Sequence, residues 1–587
     1  MAVADLWAFG TLLIAAFGLG TALLSALSTP CEDRTEFAAL AASAGLGAMG
    51  VLLGLLGLFG SLHAARFLIP LGAAATTLVW IAKRSPGPTW PVLSRPSPGM
   101  ALIIMMVAGA LLGSIAPVTD IDSLDYPIPI AQHLVRDGEW RFWPDQALSA
   151  YPLSQELLEA AVLDAGARRL GLLSGVEVVL VTVLLWSLAR RLAREDAASW
   201  LAPILLLGCP AAAFLASSAK EDMLVIAMTV AATLVLYLRP SLGAAAAAGL
   251  FAGFAAGAKY SGAVVPVAVI ACVPFCCGRN RRLTSTIVAG AATAASGGLW
   301  YFMNLLRFGN PVAPLLPGLG HPPLAASAIQ EWLNGWGYGH GPLEAILTPI
   351  RLTYDLQAFG SRGNWINPLP LLGVFGAVAD RRRQVALPLL FISLCIYSVW
   401  FFMGYQVARM LLPATALLSV PAADVLIRFW RRFRIVRYPI GMVVALSAGV
   451  VIAVGFIRAE RYLIDPAGFL ERETMHYADI DWMNKHLDPS RHRVATWFKT
   501  CGYLEIPWMT LLPNYQAEIR PEETGDPRRL YAALKRQGFT HLFGRPDDFA
   551  GLDDAQILVH ANPASRLGST RFFREPSTEP TAIFVIK

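Results

Sequence analysis

The chain has 587 residues, 55% of them hydrophobic and only 15% charged, with a formal net charge of +6. A soluble domain carries about a quarter charged residues, so this composition excludes a soluble globular protein as the whole molecule. The positive excess lies largely in arginines of short loops between apolar runs, which reads as membrane topology and argues against nucleic-acid binding.

Apolar runs predict about fourteen membrane spans, several of them shorter than the roughly 20 residues of a full crossing. They fall at 6–27, 37–59, 62–81, 100–117, 170–188, 200–215, 223–238, 242–258, 264–277, 286–305, 365–379, 385–402, 410–427 and 438–456. The first run lacks a basic leader and further spans follow it, so it reads as a span and not as a cleaved signal peptide. Basic clusters occupy alternate loops: Lys83, Arg84 and Arg95; Arg190, Arg191 and Arg194; Arg239; Arg279, Arg281 and Arg282; Arg381, Arg382 and Arg383; then Arg428 to Arg437. The intervening short loops carry one basic residue each, Lys220, Lys259 and Arg409. Basic loops stay cytoplasmic, so segments 118–169 and 306–364 and the tail 458–587 face outward. The same parity makes the net-acidic stretch 31–36 cytoplasmic.

The tail mixes a helical pattern at 528–537 with strand patterns at 540–543 and 582–586, which predicts a small α/β domain of about 130 residues. Cys501 is its one cysteine, so it holds no internal disulfide. The expected organisation is three N-terminal spans (1–99), a membrane module (100–457) and a soluble C-terminal domain (458–587). The fold class is mainly α, a polytopic helical bundle with a small extracytoplasmic α/β domain.

The first outward loop opens Val118-Thr-Asp120-Ile-Asp122-Ser-Leu-Asp125-Tyr126-Pro127. Like charges held together raise one another's pKa, so three carboxylates at a membrane edge are a candidate for proton abstraction or metal binding. An acidic solvated loop is the plain alternative. The loop continues through His133, Asp137-Gly138, Trp140, Trp143 and Tyr151-Pro152-Leu153. Its aromatic residues suit a membrane interface, with helix expected around 128–135. In the second outward segment 343–359 predicts an amphipathic interfacial helix. Glu177, inside a span, should face protein and not lipid.

A span, then Asp-Ser-Leu-Asp-Tyr-Pro, a short helix ending in Asp-Gly and then Tyr-Pro-Leu resembles the GT-C glycosyltransferases. The bacterial members related to protein O-mannosyltransferases and aminoarabinose transferases are the nearest in pattern. Gly257-Ala-Lys259-Tyr260, Phe308-Gly-Asn-Pro-Val-Ala-Pro314 and Arg409-Met-Leu-Leu-Pro413-Ala414 fit the same family, and the likeness covers about 100–427. Relatives often have Asp-Glu where this chain has Asp122-Ser123, and histidine where it has Pro127, which leaves sugar and acceptor open.

The resemblance implies transfer of a sugar from a polyprenyl-phosphate donor to a glycan, lipid or protein hydroxyl at the outer face of a bacterial plasma membrane. Asp122 matches the family's catalytic base. Asp120, Asp125 and Tyr126 would support it, with Glu221 and Asp222 lining the cavity or stabilising a helix start. Lys259, Tyr260, Arg409 and Lys220 are the expected donor-phosphate ligands, against the plain alternative that the cations snorkel to headgroups. No cofactor is obligatory. Asp120-Ile-Asp122 matches an Asp-x-Asp pattern too short to be specific, so a divalent cation stays open. The competing readings are a diphosphate-donor ligase or polymerase, and a lipid or solute transporter.

Overall fold

A backbone crossing lipid must satisfy its own hydrogen bonds, so long apolar runs close into helices. Every predicted span meets a helix in the computed structural model, which describes residues 3–31, 33–82, 97–277, 279–360, 362–379, 383–549, 556–567 and 577–586. Lys83, Arg84, Arg95, Arg381 and Arg382 of the predicted basic loops lie outside the described residues. Among the described residues, 8 helices are long and apolar enough to cross a membrane, from Val3–Ala26 to Arg434–Ile464. Asp196–Leu207, Asp222–Leu236, Leu242–Ala258, Tyr260–Cys276 and Leu369–Val378 are shorter apolar helices. The run expected at 200–215 breaks into Asp196–Leu207 and Pro210–Leu215, because Pro210 cannot continue the preceding helix.

The chain divides into two compact units. The first comprises Met1–Ala116, Pro152–Tyr301 and Leu333–Ala459. Its helices Val3–Ala26 and Arg34–Leu58 touch backbone to backbone: a Cβ on Gly20 would lie 1.8 Å from the Ala41 carbonyl oxygen, and one on Gly45 1.7 Å from that of Ala16. Small residues permit this approach, and without a hydrophobic force between helices in lipid, close packing holds them.

Ion pairs tie the ends of this hairpin to later helices. Arg191 grips the fully buried Glu36 with both arms at 2.6 and 2.8 Å, and Arg190 pairs with Asp33. At the other end Asp5 accepts the Arg168 amide at 2.8 Å, and Arg66 and His63 pair with Asp164. Asp33 and Glu36 therefore lie at the same helix ends as Arg190 and Arg191.

One stretch of the predicted outward loop 118–169 differs. Residues 154–162 form the buried part of a helix, Ser154–Asp164, that belongs to this first unit. It packs where Gly50 and Gly257 leave room: a Cβ on Gly257 would sit 3.3 Å from the Ser154 hydroxyl. The helix expected at 343–359 runs only over Pro342–Arg351, with Leu343, Ile346 and Ile350 exposed on it.

The second unit comprises Pro117–Tyr151, Phe302–Trp332 and Glu460–Lys587. Its sheet contains β1 (Val494–Thr496), β2 (Trp508–Thr510), β3 (His541–Gly544), β4 (Gln556–Arg566) and β5 (Thr578–Ile586), ordered β2-β1-β3-β5-β4. β1 is parallel to both its neighbours, whereas β5 is antiparallel to β3 and β4. Alternate side chains feed two cores. Ala495, Met509 and Leu542 pack with Leu530, Ala533 and Leu534 of helix Pro527–Arg536; Val494, Trp508 and Phe543 pack with Ile480 and Met483 of helix Tyr477–His486. The helix and both strands expected in the tail are present, within a longer β5. Cys501 is buried and carries a free thiol.

Candidate active site

In the first unit, two helix ends meet with opposite charge. Helix Leu242–Ala258 stops at Lys259, which turns the backbone into an extended conformation. Helix Asp222–Leu236 starts after Glu221 and carries Asp222 in its first turn. A cation at a helix C-terminus and carboxylates at an N-terminus each complement the local dipole. The Lys259 ammonium lies 2.9 Å from Glu221 and 3.0 Å from Asp222.

Arg409 comes to the same carboxylate from the turn Ala408–Leu411, with Nε 4.0 Å from Asp222 Oδ2. Its Nη1 donates to Asn364 Oδ1 at 3.1 Å. Lys220 is fully buried, its ammonium 5.1 Å from the Phe214 ring centre, and Asp222 feels Lys259, Arg409 and Lys220 together. All five charged residues are buried. Charges are held in such a place only when paired and hydrogen-bonded. The cluster can present ammonium and guanidinium donors to an anionic group while its own carboxylates hold the cations in place. Tyr260 stands beside it in sequence, its ring 5.8 Å from that of Tyr301.

Three more acids lie on helices that pack beside those of the cluster. Glu156 and Glu159 lie three residues apart on one face of helix Ser154–Asp164, and Glu177 lies in helix Gly171–Leu192; all three are buried. Glu156 is within electrostatic reach of Glu221 and Lys259. The spacing of Glu156 and Glu159 in a run of apolar residues was the sequence signal for them.

The acidic loop belongs to the second unit. Asp120 caps helix Ile121–Asp125, its carboxylate accepting the Ser123 amide at 3.0 Å. Asp125 is buried, with Lys499 Nζ 3.8 Å away. Asp122 is the most accessible of the three carboxylates, and Tyr126 is half-buried at the end of the turn. The C-terminal domain builds the loop's wall: Tyr503 donates to the Val118 carbonyl at 2.8 Å, and Gln132 donates to the Gly502 carbonyl at 2.9 Å. Lys499 also lies 3.8 Å from the Tyr515 ring centre.

Further along, helix Pro127–Asp137 ends on Gly138 in the left-handed conformation, as the Asp-Gly pair predicts. Burial alone would raise Asp145, but the neighbouring His133 holds its carboxyl below the ordinary range. Asp137, despite partial burial, is held low by Arg136, Trp143 and Arg141.

The structure thus gathers Lys220, Glu221, Asp222, Lys259 and Arg409 in one unit, and Asp120, Asp122, Asp125 and Tyr126 in the other. Sequence reasoning missed Asn364, Lys499, Glu156 and Glu159 as neighbours of these groups. Among the described residues no set of three or more His, Cys, Asp or Glu side chains is placed to hold a metal ion.

The fold is shared with two solved structures of one membrane protein. ArnT from Cupriavidus metallidurans bound to undecaprenyl phosphate is 14% identical, with a TM-score of 0.55 over 84% of this chain and 98% of that one. The same protein in the apo state gives 0.54 at 14% identity, over 83% and 98%. The archaeal oligosaccharyltransferase AglB from Archaeoglobus fulgidus, in complex with an inhibitory peptide and a dolichol-phosphate, is a weaker likeness. It is 12% identical, at a TM-score of 0.47 over 76% of this chain and 69% of that one. Residues 99–242 match the model of the DUF1420 N-terminal domain. No curated protein matches the chain.

Proposed function

We propose that the chain is a membrane glycosyltransferase. It moves a sugar from a polyprenyl-phosphate carrier to an acceptor hydroxyl on the extracytoplasmic face of a bacterial plasma membrane. The observation that carries this reading is the buried cluster of Lys220, Lys259 and Arg409 around Glu221 and Asp222, set in a fold of the GT-C type. An anionic lipid headgroup is the ligand such a cluster suits.

In this reaction Asp122 takes the proton of the acceptor hydroxyl as its oxygen attacks the anomeric carbon. The bond from that carbon to the phosphate oxygen breaks, and its electron pair leaves on the phosphate. Lys259, Arg409 and Lys220 stabilise the charge that develops there. A single displacement inverts the anomeric configuration. Asp120 shapes the loop as a helix cap, and Asp125 is its buried support.

The test supplies radiolabelled polyprenyl-phosphate sugars, with endogenous acceptors, to membranes carrying wild type or Asp122→Asn. Transfer by wild type should fall by about a hundredfold or more in the folded variant, the scale of a lost general base. Equal transfer by both proteins removes Asp122 from the mechanism. No transfer by wild type from any monophosphate donor overturns the reading itself.

A further inference from the structure

A phosphate ligand is useful only if its guanidinium is aimed, and Arg409 stands on a short turn, Ala408–Leu411, just ahead of helix Leu412–Arg432, whose backbone fixes the start of the side chain but not its far end. Its aim comes from a second segment. Asn364 is buried, and its amide is used at both ends: Oδ1 accepts from Arg409 Nη1 at 3.1 Å, and Nδ2 donates to the Gly360 carbonyl. Gly360 has φ +97, and a Cβ there would stand 2.8 Å from Val407 Cγ1, so only glycine lets the strap lie this close. The Ala408 amide donates to the Phe359 carbonyl at 3.0 Å, and Phe359 is buried. This strap is therefore joined to the backbone at Ala408, the residue just before Arg409. Next to Asn364, Trp365 Nε1 donates to the Thr353 carbonyl at 3.2 Å, which ties the strap to the segment carrying helix Pro342–Arg351.

We propose that Asn364 is a positioning residue for the donor phosphate, holding the Arg409 guanidinium through its amide oxygen. This rests on the reading of Arg409 as a phosphate ligand. A neutral amide is suited to the task, since it orients the cation without adding a negative charge that would compete with the phosphate. A lost hydrogen bond to a charged group is worth about 1.5 kcal/mol or more, roughly tenfold or more in a binding constant.

The experiment measures binding of undecaprenyl phosphate, and of undecaprenol as the phosphate-free control, to the full chain in detergent. The proteins are wild type, Asn364→Ala, Asn364→Asp, Arg409→Ala and the double variant Asn364→Ala/Arg409→Ala. Asn364→Ala should weaken undecaprenyl phosphate about tenfold, leave undecaprenol unchanged, and add nothing in the Arg409→Ala background. Asn364→Asp keeps the volume of the side chain, so it guards against a collapse of the strap. Its added charge should weaken the phosphate lipid at least as much and spare undecaprenol. Losses that add in the double variant, or that fall equally on both lipids, would show a structural residue and overturn the proposal. So would unchanged phosphate binding by both Asn364 variants while Arg409→Ala weakens it. Equal binding of the two lipids by wild type, or no effect of Arg409→Ala, would instead overturn the phosphate-site reading on which it rests.

Discussion

Replacing Lys259 by methionine keeps most of the side-chain volume and removes only the charge. It leaves Glu221 and Asp222, both almost wholly buried, without the ammonium that now sits 2.9 and 3.0 Å from them. Two unit charges 3 Å apart attract by about 5–6 kcal/mol at an effective dielectric of 20, but most of this offsets desolvation. Breaking a buried pair by deleting one partner costs about 3–5 kcal/mol. Lys220 and Arg409 still act on Asp222, so the lower end, about 3 kcal/mol, is the expected loss. The assay is denaturant unfolding of the detergent-solubilised full chain. The same assay on Lys259→Met/Glu221→Gln should recover part of the loss, because the carboxylate at Glu221 is then gone while Asp222 keeps Lys220 and Arg409. The reasoning is refuted if Lys259→Met unfolds as wild type does, or if the double variant is no more stable than the single one.

Three further outcomes are expected. Gly20→Leu should split the contact between the first two helices, where even a Cβ would lie 1.8 Å from the Ala41 carbonyl oxygen. The cost should be about 1–3 kcal/mol or more in the same unfolding assay, whereas Gly10→Leu, with open space around Gly10, should cost little. Asp120→Ala removes a helix cap and should destabilise by about 1 kcal/mol, and Asp120→Asn, which still caps, should retain transfer that Asp122→Asn abolishes. His541 is pushed down to about 4 by burial and then by His492. Its folded value lies below the unfolded one of about 6.5, so the unfolded chain binds the extra proton between these values. Stability from this group is complete above pH 6.5 or so and is lost on acidification toward about pH 4; His541→Gln should flatten that slope, as read by tryptophan fluorescence during thermal unfolding.

The spans were legible because apolar length is a local property of the chain. What the sequence hid were facts of packing. The stretch 154–164 contains Glu156, Glu159 and Asp164, too polar for a span, and it reads as loop until Gly50 and Gly257 are seen to make room for it. The break at Pro210 was visible as a proline, but the apolar residues on both sides outweighed it. Lys259, Glu221, Asp222 and Arg409 could be picked out as charges at span ends, and the resemblance to GT-C enzymes supplied the reason to group them. Asn364 could not be found this way. It is a neutral residue in an irregular segment, and its importance lies in one hydrogen bond to a residue 45 positions away. Lys499 was equally silent, one of the tail's four lysines with no motif around it, until the fold set it beside Asp125.

The ion pairs that fasten the first helices also impose an order in time. Asp5, Asp33, Glu36 and Arg66 all find their partners between Asp164 and Arg191. A ribosome adding about 5–20 residues each second reaches Arg190 and Arg191 roughly 7 to 26 seconds after the hairpin has been made. Until then the hairpin enters the membrane with Glu36 unmatched, an acid that the finished molecule hides completely. These two helices are thus made well before they are locked, and the arginines that close them arrive with the helix Gly171–Leu192. A nascent chain stalled before Asp164 should hold its opening helices loosely, as a half-built frame that its own later segment must complete.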